Sequence, residues 1–133
     1  VLVAYSPLCR NLLAGTSKAD DGTFRSMQPR FQGENLAANQ KLVQVVADIA
    51  TSKGVSAATL SLAWILQHAA NIGVQVLPIP GSTKAENATT NLSAAGVELT
   101  AEDMKALEAL ATDVTGARGN DGYLSATYEG QRQ

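Results

Sequence analysis

Apolar positions recur along this chain in two rhythms. Val1-Leu2-Val3-Ala4-Tyr5 is an unbroken apolar, β-branched run stopped by Ser6-Pro7. Such a run predicts a strand buried on both faces, the habit of parallel sheets. Gly73 to Pro78 (Gly-Val-Gln-Val-Leu-Pro) predicts a second strand, ended by Pro78 and Pro80 because neither can donate to a ladder. Between them the period becomes helical. Leu42, Val45, Val46 and Ile49 lie on one face and Lys41, Gln44, Asp48 and Lys53 on the other, with Gly54 as the stop. Ser56 is placed to cap a second helix from Ala57 to about Ala70. Its Leu60, Leu62, Ala63, Trp64, Ile65 and Leu66 leave little polar surface, so it is predicted to be largely buried.

Two short patterns mark further helices. Thr83-Lys84-Ala85-Glu86 has the form of a capping box, with the helix beginning at Thr83. Thr100-Ala101-Glu102-Asp103 is a second box, opening a fourth helix with an apolar stripe at Met104, Leu107 and Leu110. From Leu8 to Asn39 there is no sustained period, only punctuation by Gly15, Asp20-Asp21-Gly22, Pro29 and Gly33. A loop of that length inside a compact domain is uncommon and often functional. After Gly116 the period is lost again, and residues 116–133 read as a Gly-rich, polar, at least partly ordered tail.

Strands alternating with helices imply an α/β fold with a parallel sheet. Two strands cannot enclose the apolar surface of about four helices, so several more strands are expected. An eight-stranded barrel takes about 250 residues, and this chain corresponds to roughly its last quarter with elaborations. Natural domains seldom open in mid-strand. Val1 is therefore expected to be a truncation point, a processing site or the edge of a longer protein.

Composition narrows the partners. The 133 residues, 45% hydrophobic and 17% charged, suit a single globular unit. A net charge of -2, with both signs mixed along the chain, gives no general attraction for nucleic acid or an anionic membrane. Any phosphate must be held by a few placed groups. One cysteine, Cys9, excludes an internal disulfide, and with a single histidine, His68, no Cys/His zinc site can form. A reducing, cytoplasmic setting is the expectation. No apolar stretch approaches the ~18 residues of a membrane span, and no signal peptide is visible.

The stretch richest in chemistry is Leu77-Pro78-Ile79-Pro80-Gly81-Ser82-Thr83-Lys84. A parallel strand ends, a Gly turn follows and a capped helix begins. Open backbone N–H groups and the helix dipole make such an end a seat for phosphate. Ser82 adds a hydroxyl and Lys84 a full positive charge. On residue types alone, a plain strand–turn–helix junction with a solvated lysine remains the simpler reading, because no Gly-x-Gly-x-x-Gly or P-loop is present. Tyr5-Ser6-Pro7-Leu8-Cys9-Arg10 is another strand end. In a parallel barrel both would lie on the face that carries active sites. A strand end with a surface arginine is again the simpler reading of that stretch in isolation.

These motifs, taken in order and spacing, resemble those of the aldo-keto reductases from Val3 to about Arg118. Tyr5-Ser6-Pro7-Leu8-Cys9-Arg10-Asn11 is similar to the family's Tyr-Ser-Pro-Leu-Gly-Arg-Gly at the end of the penultimate barrel strand. Pro29-Arg30-Phe31 followed by Glu34-Asn35 is similar to a Pro-Arg-Phe…Glu-Asn segment. Leu62-Ala63-Trp64 matches a helix ending Leu-Ala-Trp, and Pro78 to Lys84 resembles the last-strand motif Pro-Ile-Pro-Gly-Thr/Ser. Asn91 falls where that motif's terminal Asn is expected, and Leu99 to Asp103 resembles the entry to the final helix.

The resemblance implies the C-terminal part of a (β/α)8 TIM barrel that binds NADPH without a Rossmann fold. It would belong to an oxidoreductase that reduces aldehydes or ketones to alcohols. It implies that Ser6, Leu8 and Arg10 lie along the pyrophosphate and nicotinamide ribose, that Ser82 and Lys84 grip the 2′-phosphate, and that Asn87 and Asn91 lie beside the adenine. Residues 8–39 would fold over the cofactor. The family's proton-donating tyrosine and its lysine, aspartate and histidine helpers would all lie upstream of Val1. No residue of this chain is therefore given a catalytic role, and the fragment alone is expected to be inactive and to need the rest of the barrel. His68 reads as structural, Trp64 as core, Cys9 as a loop thiol, and Tyr123 and Tyr128 as tail residues near the substrate side. Cys9 and Asn11 depart from two family glycines, and Thr90 stands where a Glu usually meets the adenine. The alternative is a non-catalytic NADPH-binding or regulatory module of the same fold.

Overall fold

The computed structural model describes residues 1–15 and 22–126. Two parallel strands, β1 (Leu2–Tyr5) and β2 (Val76–Ile79), pair in register from Leu2 opposite Val76 to Tyr5 opposite Ile79. Helices α1 (Gly33–Ser52) and α2 (Ala57–Asn71) fill the crossover between them. Helices α3 (Ala85–Leu92), α4 (Ala101–Ala109) and the short α5 (Asp121–Ser125) follow β2.

The core forms where α1, α2 and α4 meet. Val46, Ala50, Leu60, Leu62, Ala63, Ala94, Leu99 and Met104 make one buried cluster, with Trp64, Leu66 and Leu107 packed partly against it. Helix α2 is its axis, and Leu60 is 0% exposed. Its cap is the expected one: Ser56 accepts from the N–H of Thr59. Helix α4 opens on a full capping box in which Thr100 accepts from the Asp103 N–H and Asp103 accepts from the Thr100 N–H. Lys53, the C-terminal cap residue of α1, reaches Asp103 at 2.6 Å, joining the end of one helix to the start of another. That ammonium first, then the Thr100 N–H, holds the Asp103 carboxyl below its ordinary pKa.

Several sequence expectations are corrected. β1 is not buried on both faces: Leu2 is 59% exposed, and Val3 and Tyr5 are also exposed. The reason is that β1 has one neighbouring strand among the described residues. Helices cover one side, and on the other Leu77 and Ile79 remain about half exposed among the described residues. β2 spans 76–79, so Pro78 lies inside the strand, opposite Ala4. A proline is tolerated in such an edge strand because its missing N–H faces no ladder partner there. Helix α1 begins at Gly33, inside the stretch that shows no apolar period. Its first turns bury Leu36 and Asn39, and a polar core residue is invisible to a hydrophobic pattern. The Thr83 box does not form. Lys84 is the cap residue of α3 and has no side-chain cap, because the turn is held by Ser82 instead. His68, read as structural, is not among these corrections: it is half-exposed, stacked on Trp64 at 4.8 Å and bonded through Nδ1 to Glu108 at 3.2 Å.

The tail docks on the long excursion. Asn39 donates to the carbonyls of Arg30 and Thr115, at 3.2 and 2.9 Å, and accepts from the Thr115 N–H at 3.0 Å. Arg30 Nε donates to the Gly116 carbonyl, and Gln28 accepts from the Asn120 N–H. Gly116 has φ +80°, and a Cβ there would stand 2.9 Å from backbone atoms of Pro29 and Arg30. Only glycine allows both that backbone conformation and that approach.

Candidate functional site

Because β1 and β2 are parallel and in register, Ser6–Asn11 and Pro80–Lys84 leave the same end of the sheet. They do so from adjacent strands roughly 4.8 Å apart. Ligands of open and closed parallel sheets gather at this carboxyl end.

The turn after β1 is wound the unusual way. Ser6, Cys9, Arg10 and Asn11 have φ of 51, 46, 53 and 71°. The left-handed region costs a residue with a Cβ roughly 1–2 kcal/mol, and Asn bears it best. The turn is closed by the Cys9 N–H on the Ser6 carbonyl at 3.0 Å and the Leu12 N–H on the Cys9 carbonyl at 3.1 Å. Cys9 and Asn11 stand where the family pattern has glycines, and the backbone at both lies in the region that favours glycine. Buried Leu12 and half-buried Leu8 anchor the turn in the apolar interior.

Arg10 projects from this turn toward the excursion and the tail. Its Nη1 donates to the Arg118 carbonyl at 3.2 Å, and its guanidinium lies 5.5 Å from the Phe24 ring and 5.0 Å from the Tyr123 ring. Arg118 lies over the Tyr5 ring at 4.2 Å. Tyr5, Ser6, Arg10, Arg30, Phe31 and Arg118 line a cleft of about 190 Å3 with Pro7 and Cys9. A larger cavity, about 290 Å3, opens beneath the turn among Cys9, Leu13, Val43, Trp64 and Leu107. Its walls are apolar apart from Arg30, Asn39 and Ser61, so it belongs to the core and offers little to a charged ligand.

On the neighbouring strand end, the Ser82 hydroxyl accepts from the Lys84 N–H at 3.1 Å and donates to the Lys84 carbonyl at 2.9 Å. No side chain caps the first turn of α3, so its leading N–H groups keep their positive end toward solvent. Glu86 in that turn opposes an anion, and Lys84 favours one. Ser82, Lys84 and Asn87 are exposed and Asn91 is half-buried, with Asn87 and Asn91 one turn apart on α3. The Thr90 hydroxyl is turned into its own helix, onto the Glu86 carbonyl at 3.0 Å.

The structure thus brings Ser6 and Arg10 into one cleft, Ser82 and Lys84 into one turn, and Leu8 against the core. Sequence reasoning missed Arg118, the site role of Arg30, and the positioning residues Gln28 and Asn39. Their contacts span most of the chain, and no local period signals them. Tyr123 stacks on Arg10, whereas Tyr128 lies outside the described residues.

The model of the aldo/keto reductase family matches residues 1–112. A glycerol dehydrogenase from Gluconobacter oxydans has a similar structure, with a TM-score of 0.73 and 27% identity. The match covers 88% of this chain and 36% of that enzyme, so the chain spans about a third of its relative's length. With the family pattern running through both strands, the crossover and α4, this chain belongs to the aldo/keto reductase family.

Proposed function

We propose that this chain is the cofactor-holding part of an NADPH-dependent oxidoreductase that reduces aldehydes or ketones to alcohols. The groups that carry out proton transfer would come from the remainder of a (β/α)8 barrel. The observation that carries this reading is the juxtaposition of two polar strand ends, Ser6–Arg10 and Pro80–Lys84, at one end of a parallel pair.

The donor set fits a dinucleotide phosphate. Lys84 and the uncapped N-terminus of α3 put positive charge beside the exposed Ser82 hydroxyl, a combination suited to a 2′-phosphate dianion. The Ser82 proton now satisfies the Lys84 carbonyl and would turn outward to serve a phosphate oxygen. Ser6, Arg10 and the backbone around Leu8 would follow the pyrophosphate, and the amides of Asn87 and Asn91 would meet the adenine end. NADPH supplies the hydride that reduces the carbonyl carbon. The residues of this chain bind and orient; the described parts of the excursion ahead of α1, residues 8–15 and 22–32, would cover the cofactor and keep water out. No single helix among the described residues is long and apolar enough to cross a membrane. We place the protein in the cytoplasm, with a small carbonyl compound as its substrate and neither nucleic acid nor membrane among its partners.

Fluorescence titration of the full-length protein tests the reading. Lys84→Met is expected to weaken NADPH about tenfold, the size of one exposed charge-assisted contact, and to leave NADH unchanged. Equal loss for both cofactors would remove the 2′-phosphate assignment.

A further inference from the structure

We propose that Gln28 is a positioning residue that joins the excursion to the tail, so that a dinucleotide bound under residues 22–32 also fixes the tail around Tyr123. The proposal rests on the reading that those residues cover NADPH.

The tail has two kinds of anchor. At its start, Thr115 is tied to Asn39 of α1 through its N–H and carbonyl, and its hydroxyl donates to the Asn35 carbonyl at 3.3 Å. The bond from Arg30 Nε to the Gly116 carbonyl lies at this end too, and Asn39 holds the Arg30 carbonyl. Helix α1 also carries Val46 and Ala50 of the main core, so the start of the tail answers to the core. Further along, the anchor changes. The Asn120 N–H donates to Gln28 Oε1 at 2.9 Å. Gln28 stands between two short turns of the excursion, Phe24–Met27 and Pro29–Phe31. Its Nε2 donates to the Phe24 carbonyl at 3.2 Å, so one amide serves excursion and tail together. Gln28 is 0% exposed. Pulling apart a buried amide bonded at both ends is costly, because water does not replace either partner there.

What hangs from Gln28 is α5. The Asn120 side chain caps that helix by accepting from the Tyr123 N–H at 2.9 Å. Gly119 is buried and leaves no room for a Cβ beneath the Tyr123 ring, which also lies 5.0 Å from the Arg10 guanidinium. A helix of five residues does not form by itself in water, so tertiary contacts set its place. Gln28 is the link by which the state of the excursion reaches it. A ligand that holds the excursion closed then holds the tail by the same factor, since the tail opens only when the excursion does.

Hydrogen exchange of the full-length protein, with no cofactor and with NADP at a hundred times its Kd, reads that factor directly. At this concentration any opening that releases the cofactor becomes about a hundredfold rarer. The amides of 23–32 and of 119–125 should therefore slow by about the same factor. In Gln28→Met, which keeps the length and loses the amide, the excursion should keep its factor and that of the tail should fall toward one. Gln28→Glu retains the acceptor for Asn120 and should restore most of it. A merely structural weakening raises exchange equally with and without cofactor and leaves the ratio alone. Should Gln28→Met not fold, Asn120→Pro removes the same bond from the tail side, at a φ of -72° that proline accepts. A wild-type tail that exchanges alike with and without NADP, while 23–32 is slowed, overturns the proposal. So does a tail factor that persists in these variants, because the tail then meets the cofactor directly or is held through Arg10 on the Arg118 carbonyl. If NADP binds and slows neither stretch, the covering role of the excursion falls and the proposal with it. If NADP does not bind, the cofactor reading itself has failed.

Discussion

The helical half of the molecule and its two-stranded sheet meet the same demand, burial of apolar side chains, in opposite ways. Around α2 Leu60, Leu62, Trp64 and Leu66 pack with partners from α1 and α4, and Leu60 is wholly enclosed. Along β1 and β2, Leu2, Val3, Leu77 and Ile79 stay exposed. Composition does not explain this, because the strands are the more apolar of the two regions. What differs is that α2 has α1 and α4 packed against it, while the outer face of the sheet has no second layer among the described residues. A strand pair of this kind is marginal in water unless further strands or helices join it. The difference teaches that one half of the described chain encloses its apolar side chains while the other leaves an apolar sheet face exposed.

The largest expected effects test that contrast directly. Leu60→Ala in the full-length protein is expected to cost about 2–5 kcal/mol in a denaturant melt, as for a well-packed core leucine. Leu77→Ala is the sharper partner experiment. With the proposed barrel closed over it, Leu77 should cost about as much as Leu60; a change within about 0.5 kcal/mol would mean that the sheet face is solvent-exposed in the whole protein as well.

Smaller effects probe how the excursion and tail are joined. Asn39→Ala removes three hydrogen bonds, two to the Thr115 backbone and one to the Arg30 carbonyl, leaves those half-buried groups unsatisfied, and should cost about 1–3 kcal/mol. Hydrogen exchange should then rise at residues 115–120 before it rises in α2. If both rise together, tail and core are one cooperative unit and the contrast dissolves. Cys9→Gly should stabilise by about 1 kcal/mol, because φ 46° favours glycine. No gain would mean that the Cys9 side chain returns in packing what its backbone loses.

The smallest is a pH effect at the helical end. The Asp103 carboxyl is held below its ordinary pKa by Lys53 and by the Thr100 N–H. Its contribution is therefore fully present above the unfolded-chain value of about 4, and is lost as pH falls through the lowered folded value. Asp103→Asn should flatten that part of the stability profile and leave the profile above about pH 5 parallel to that of wild type.

The candidate site was legible where it is local. Ser82 and Lys84 sit in one turn that the Pro-Gly-Ser punctuation marks, and Ser6 and Arg10 follow a run that could only be a strand. Arg118 and Asn39 were not legible, because each acts across 76 or more residues of chain. The capping box at Thr100 formed, and the one at Thr83 did not, although both fit the same pattern. At Thr83 the Ser82 hydroxyl instead bonds both the N–H and the carbonyl of Lys84, and the helix starts two residues later, at Ala85. Competition between neighbouring caps is decided by geometry that a four-residue motif does not contain.

What the sequence determined by itself was the order of strands and helices, the caps at Ser56 and Thr100, the apolar axis of α2 and the polar character of both strand ends. These follow from period, propensity and side-chain chemistry within a few residues. Only the tertiary structure decided the start of α1 at Gly33, the left-handed turn at Cys9–Asn11, the exposure of the sheet and the gathering of Arg10, Arg30 and Arg118. Each of these depends on which distant backbone comes within hydrogen-bonding reach, and a linear pattern holds no record of that.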